Sequence, residues 1–223
     1  MARATSSRST SVRIEAGDAT LDGDLRTPGT ATGLVVFAHG SGSGRHSPRN
    51  RFVAEQLGSG GLATLLFDLL TEDEERVDER TRALRFDIDL LARRLVATTD
   101  WLSGHQLYGG LDMGFFGSST GAAAALVAAG ERPEVAHAVV SRGGRPDLAG
   151  PYLGRVQAPT LLIVGSLDRP VIAMNQEAMA RMPARTEKKL EIVEGATHLF
   201  PEEGALERVA ELATSWFSER LGR

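Results

Sequence analysis

Two kinds of hydrophobic pattern alternate along this chain. Near its start, Val12 and Ile14 alternate with polar residues, and Leu21 and Leu25 follow beyond a turn signal at Gly17-Asp18. Period-two alternation on both sides of a turn predicts an antiparallel hairpin at a sheet edge. The pattern then changes to short unbroken apolar runs: Leu34 to Ala38, Leu65 to Phe67, Met113 to Phe116, Ala138 to Val140 and Thr160 to Val164. Such runs suit strands buried on both faces, as in a parallel sheet. Lys189 to Val193 supplies a further strand, more exposed on one side.

Helical periodicity fills the intervals. Ser47-Pro48 forms a start signal with proline at the first helical position, and Phe52, Val53 and Leu57 mark an apolar face. Leu84, Ile88, Leu91, Leu95, Thr99 and Leu102 step by three or four along a predicted longer helix. The stretch Gly121 to Ala129 is nearly all small residues, which lets a helix lie close on a sheet. Pro170 begins another helix with Met174, Ala178 and Met182 spaced by four, and Leu206, Val209, Ala210, Ala213, Trp216 and Phe217 stripe the last one. Strands alternating with helices after an opening hairpin predict an α/β fold: a mostly parallel sheet with helices on both faces.

Composition narrows the class. A chain of 223 residues, 42% hydrophobic and 24% charged, suits one substantial core and no second domain. Met1 to Thr10, rich in Ser, Thr and Arg, is expected to be a disordered tail, leaving a single domain over 11–223. The net charge of −4 points to no nucleic-acid surface, and no apolar run reaches membrane-spanning or signal-peptide length. The absence of cysteine removes disulfides, thiolate nucleophiles and cysteine metal sites together. A cytoplasmic location is the expectation from this set.

The chemistry concentrates in Gly117-Ser118-Ser119-Thr120-Gly121, between an apolar run and an alanine-rich helix. This reads as a nucleophile elbow, in which a strand turns sharply into a helix and holds its central serine in a strained left-handed conformation. The flanking glycines let neighbouring backbone pass without a Cβ clash. Ser119 is therefore the candidate nucleophile, and a serine hydroxyl needs a base to take its proton.

In this architecture the partners follow in the order serine, acid, histidine, each past the end of a later strand. Asp168 stands just past the run ending at Val164 and before Pro170; His198 stands just past the strand ending at Val193. Alone, Asp168 reads equally as a helix cap and His198 as a turn residue. Their joint order and placement predict a Ser119–His198–Asp168 triad. His105 and His137 fall at element ends away from the predicted catalytic edge. His39-Gly40-Ser41-Gly42-Ser43-Gly44 closes the first buried strand, where one oxyanion amide is expected. That amide is assigned to Ser41, with Gly42 as the alternative, and the second to Thr120; His39 is expected to brace the loop. The glycine-rich loop has neither a phosphate-binding Gly-Lys-Ser/Thr ending nor dinucleotide-binding spacing, which disfavours an oxidoreductase.

Candidate substrate contacts are Gly42, His46, Arg142 and Arg145. The arginines follow Val140 at a strand end, where they suit a carboxylate or phosphate; internal pairing with Asp147 or another carboxylate is the expected use. Thr71 to Arg82 is a charged run, expected to form a solvated loop and short helix at the site edge and a candidate small lid.

On His39-Gly40-Ser41-Gly42, Gly117 to Gly121, Asp168 and His198, the chain resembles the α/β-hydrolase superfamily, and within it the dienelactone-hydrolase-like group of small hydrolases without a large cap domain. The resemblance spans nearly everything after the tail and implies the same triad. Dienelactone hydrolase itself uses a cysteine nucleophile where this chain has Ser119, so an esterase-type activity is implied rather than the dienelactone substrate. Similar sequences also occur fused to a phosphoribosyltransferase domain, for which this chain leaves no room.

The expected function is a serine hydrolase cleaving small or flexible carboxylic esters through an acyl-enzyme, with no metal or organic cofactor and a small molecule as its partner. Thioester or amide cleavage by the same triad, or a non-catalytic binding protein of the same fold, are the alternatives.

Overall fold

The hairpin pairs β1 (Arg8–Ala16) with β2 (Ala19–Thr27), placing Ile14 opposite Leu21 on the buried face. β2 continues antiparallel onto β4 (Ala63–Phe67), with Leu25 opposite Leu65. From there every pairing is parallel, through β3 (Leu34–Ala38), β5 (Met113–Ser118), β6 (Ala136–Arg142), β7 (Thr160–Gly165) and β8 (Lys188–Val193). The eight strands lie in the order β1-β2-β4-β3-β5-β6-β7-β8. The computed structural model describes residues 8–222.

Alternation along the central strands divides two cores. Leu34, Val36 and Ala38 face one core, with Leu91, Leu95, Leu102 and the alanines of α4 (Thr120–Glu131). Val35 and Phe37 face the other, with Leu57 of α1 (Pro48–Ser59) and Val209, Ala213 and Phe217 of α6 (Ala205–Ser218). A strand buried on both faces favours apolar side chains on each, which explains the unbroken apolar runs.

Two expectations need correction. Arg8, Ser9 and Thr10 belong to β1, opposite Thr27, Arg26 and Leu25, rather than to a tail. Both faces are exposed there, so backbone pairing holds this end without a hydrophobic signal; the rest of the expected tail lies outside the described residues. The long helix also does not begin at Leu84. Leu84–Phe86 is a separate 3-10 turn, and α3 (Ile88–Ser103) starts where the Asp87 side chain accepts the Leu90 amide at 2.9 Å. That cap interrupts the periodicity. The charged run forms α2 (Glu72–Thr81), opened by a capping box between Thr71 and Glu74.

β4 lies on one side of β3 and β5 on the other, so the chain reverses its winding direction there. Crevices of open α/β sheets form beyond the carboxyl ends of strands at such a switch point. The loop after β3 and the turn after β5 therefore flank the natural site.

Candidate active site

Ser119 occupies the turn between β5 and α4 with φ 51° and ψ −122°. Its φ is positive as expected, but ψ lies outside the left-handed helical well, in a sparsely populated region that costs a non-glycine residue roughly 1–3 kcal/mol. Backbone bonds hold it there: its amide donates to Arg142 at 3.4 Å, and its carbonyl accepts from Ala122 at 3.1 Å and Arg145 at 3.0 Å. The two glycines are needed for close approach. A Cβ at Gly121 would stand 2.2 Å from the Ala38 carbonyl oxygen, and one at Gly117 would stand 2.4 Å from the Ala122 Cα. Ser119 itself is partly exposed on top of this turn.

Asp168 is the residue before α5 (Arg169–Arg181), yet its side chain makes no capping bond. Its carboxylate instead accepts a hydrogen bond from His198 Nδ1 at 2.6 Å. An Nδ1–H engaged by a carboxylate leaves Nε2 as the basic nitrogen. Asp168 is mostly buried, with 14% of its side chain exposed, whereas His198 is 39% exposed, an orientation suited to meeting substrate.

The loops carrying these residues are pinned together. The Ser166 amide donates to Val193, and the Leu167 amide donates to Ala196 at 3.0 Å, stitching the ends of β7 and β8. Beyond them, Thr197 Oγ1 donates to Glu202 at 2.6 Å, which lowers the Glu202 pKa, and Phe200 buries its ring at positive φ. The segment after β6 joins this loop to Ser119. A Cβ at Gly143 would lie 3.6 Å from His198 Cε1, while Arg142 and Arg145 on either side bond the Ser119 backbone.

The expected oxyanion residues also lie together. Ser41 Oγ bonds Thr120 Oγ1 at 3.0 Å and donates to the Arg85 carbonyl at 3.2 Å. Thr120 is the first residue of α4, where an amide has no intrahelical partner. Gly40 touches the nucleophile turn, since a Cβ there would be 3.0 Å from Ser119 Cβ. His39 braces the loop as expected. It is buried, its Nε2 accepts from the Leu69 amide at 2.9 Å, and its Nδ1 donates to the Gly40 carbonyl at 3.0 Å. Burial lowers its pKa and keeps the ring neutral.

A cavity of about 620 Å³ opens from Ser41 and Thr120 toward α2, lined also by His46, Arg49, Glu75, Asp78 and Arg85. The triad candidates are not among its lining residues, whereas Ser41 and Thr120, the expected oxyanion residues, are. Arg85, absent from the sequence expectations, covers Gly42: a Cβ there would be 3.3 Å from Arg85 Nη1. Asp78 orients Arg85 through a 2.5 Å ion pair, which lowers the Asp78 pKa against the opposing effect of burial. Arg85 lies in the 3-10 turn beyond the charged run, and the local sequence carries no mark separating it from the solvated arginines nearby.

The two candidate arginines after β6 divide. Arg145 pairs with Asp147 through two bonds, at 2.9 and 2.8 Å. Arg142 has no such partner, and the expected pairing with a carboxylate does not apply to it. It is buried on the α1 side of the sheet, where Nη2 donates to Asn50 Oδ1 at 3.4 Å. Side chains alternate across a strand, and Asp147 lies on a different segment beyond its end, so nearness in sequence does not bring the two together. Away from this edge, His105 packs between Trp101 and Tyr108, and His137 lies 3.4 Å from Asp112. Among the described residues no cluster of three or more His, Asp or Glu side chains could hold a metal ion, and no helix is long and apolar enough to cross a membrane.

Comparison with known proteins places this geometry in context. A crystal structure of a dienelactone hydrolase from Anabaena variabilis is 58% identical, with a TM-score of 0.94, covering 96% of this chain and 99% of that one. Est1E from Butyrivibrio proteoclasticus shares the fold at 16% identity and a TM-score of 0.77, covering 94% of this chain and 98% of its own. A Mycobacterium tuberculosis (strain ATCC 25618 / H37Rv) protein named "Putative phosphoribosyl transferase" is 55% identical over 214 residues, covering 96% of this chain. The match spans 47% of that relative, about half its length. The Dienelactone hydrolase family matches residues 21–220. With a 200-residue match, most of its length, the chain belongs to the dienelactone hydrolase family.

Proposed function

We propose that this protein is a serine hydrolase that cleaves carboxylic esters of small or flexible acyl groups through an acyl-enzyme on Ser119. The observation that carries the reading is the 2.6 Å bond between His198 Nδ1 and Asp168, on a loop that meets the Ser119 turn through Gly143.

In the proposed reaction, His198 Nε2 takes the hydroxyl proton as Ser119 Oγ attacks the ester carbonyl. The Asp168 carboxylate holds the imidazole in the required tautomer and stabilises its cation. Backbone amides of Ser41 and Thr120 receive the developing oxyanion, each such donor contributing roughly 3–4 kcal/mol in comparable sites. Imidazolium then protonates the leaving alcohol, and the Ser119 ester remains. Water deprotonated by His198 attacks that ester, and collapse returns the proton to Ser119 with release of the acid. Every proton stays on protein groups, substrate or water.

The mycobacterial name belongs to a protein about twice the matched length, and phosphoribosyl transfer is not proposed for this segment. The test is labelling by a fluorophosphonate probe of wild type, Ser119→Ala and His198→Ala, followed by matched ester, thioester and amide substrates. Labelling of wild type alone, with ester turnover fastest, supports the proposal. A folded wild type that takes no label moves the chain to the non-catalytic binding class.

A further inference from the structure

Asp168 and His198 each belong to a tight turn. The Asp168 amide donates to the Gly165 carbonyl at 3.0 Å, which puts Ser166 and Leu167 at the central positions of one turn. The Phe200 amide donates to the Thr197 carbonyl at 3.2 Å, which puts His198 and Leu199 at the centre of the other. Gly165 and Val193 pair in parallel register, and the Leu167 amide donates to Ala196 at 3.0 Å. Both turns therefore rise from the same corner of the sheet.

Each turn carries a leucine where turn chemistry favours Gly, Asn, Asp or Ser. Neither leucine belongs to the core: Leu167 is 60% exposed and Leu199 is 46% exposed. Apolar side chains exposed singly over a surface are ordinary. These two are not scattered. Among the described residues six large apolar side chains are exposed, and two of the six adjoin the acid and the base of the candidate triad.

The reaction geometry gives this pair a task. To protonate the leaving oxygen, His198 Nε2 must come within about 3 Å of it, so the group on that oxygen lies over the His198 turn. The polar cavity is lined by Ser41 and Thr120 and not by Leu167, His198 or Leu199. The leaving alcohol thus meets leucine rather than the charged cavity wall.

We propose that Leu167 and Leu199 form an open apolar ledge beside His198 that takes the alcohol part of the ester, which selects esters of bulky apolar alcohols. The inference rests on the hydrolase reading and names the substrate class for that site. Covering the two leucines removes apolar surface from water, and an open ledge sets no upper limit on the bulk of the alcohol.

The test compares two ratios of kcat/KM in wild type, Leu167→Ser, Leu199→Ser and the double variant. Serine suits both turns, so the variants should keep the fold. The alcohol ratio sets para-tert-butylphenyl acetate against phenyl acetate, whose leaving groups are almost equally acidic. The acyl ratio sets phenyl hexanoate against phenyl acetate. The alcohol ratio should be about tenfold in wild type and fall at least about threefold in each single variant, with the acyl ratio unchanged. A wild-type alcohol ratio near unity, or one unmoved in the folded variants, overturns the ledge. An equal fall of both ratios also overturns it, since a loosened His198 turn would act on every ester alike. Binding is read separately in Ser119→Ala, from carbon-13 methyl spectra titrated with para-tert-butylphenol, the leucine methyls being assigned through the serine variants. Shifts at Leu167 and Leu199 but not at Leu107, which is exposed ahead of the amino end of β5, support the ledge. No shift at the two leucines overturns it. If no ester is cleaved and no fluorophosphonate label is taken, the hydrolase reading fails and the methyl titration alone decides the ledge.

Discussion

His39 Nε2 accepts the amide hydrogen of Leu69 at 2.9 Å, joining the loop after β3 to the segment after β4. The bond settles the tautomer: Nε2 is the acceptor, so Nδ1 carries the proton given to Gly40. A neutral, buried ring thus holds the loop that carries Ser41.

Protonating His39 would destroy that acceptor. Its folded pKa lies below the ordinary 6.5, so the unfolded chain takes up the proton first. The stability it contributes is complete above about pH 6.5 and is lost as pH falls toward the folded pKa, with a slope of up to about 1.4 kcal/mol per pH unit. Urea unfolding between pH 7.5 and 5 should show this component in wild type and lack it in His39→Gln. Equal slopes would mean that His39 does not titrate between the two states.

Asp168→Asn should leave the fold intact and lower kcat by roughly four orders of magnitude, with a small effect on KM. An asparagine amide can donate to Nδ1, which moves the proton to Nε2 and removes the base. Loss of only tenfold would assign the orienting role elsewhere.

In the proposed mechanism the hydroxyl and the amide of Ser41 have separate roles. Ser41→Ala removes the bonds to Thr120 and the Arg85 carbonyl but keeps the amide. A loss of about 1 kcal/mol in stability is expected, with ester turnover reduced by about tenfold or less. Abolished turnover in a folded Ser41→Ala protein would show that the hydroxyl itself handles substrate.

Gly121→Ala places a methyl against the Ala38 and His39 carbonyls at 2.2 and 2.4 Å. Backbone cannot yield as a side-chain tip does, so destabilisation of at least about 3 kcal/mol is expected by urea unfolding. A near-neutral result would require β3 and α4 to separate without cost.

Glu75 lines the cavity with its pKa raised by partial burial first, then by the charges of Asp68 and Glu79. The folded state therefore favours its protonated form, and ionisation costs stability above its folded pKa. Glu75→Gln should stabilise the protein at pH 7 by less than about 1 kcal/mol, because the group remains well solvated. The gain should vanish as pH falls through the carboxylate range, where Glu75 is already neutral; a gain independent of pH would point to packing instead.

The sequence by itself determined the parts of the protein that depend on local chemistry. Strands buried on two faces favour unbroken apolar runs, so Leu34 to Ala38 was legible directly. Gly117, Ser119 and Gly121 reported an elbow because close backbone approach excludes a Cβ. Asp168 and His198 followed from their order and from strand ends, and the structure brings those two side chains into contact. Tertiary structure decided the choices between alternatives that local sequence leaves equal. Arg145 is two residues from Asp147 and pairs with it, whereas Arg142 reaches Asn50 of α1, far away in sequence. Arg85 came to cover Gly42 because Asp78 holds it, yet nothing in the local sequence distinguishes this pair from the exposed Arg76 with Glu72 and Asp73. Charge partners are selected by distances across the fold, and a pattern of period two or 3.6 carries no record of them.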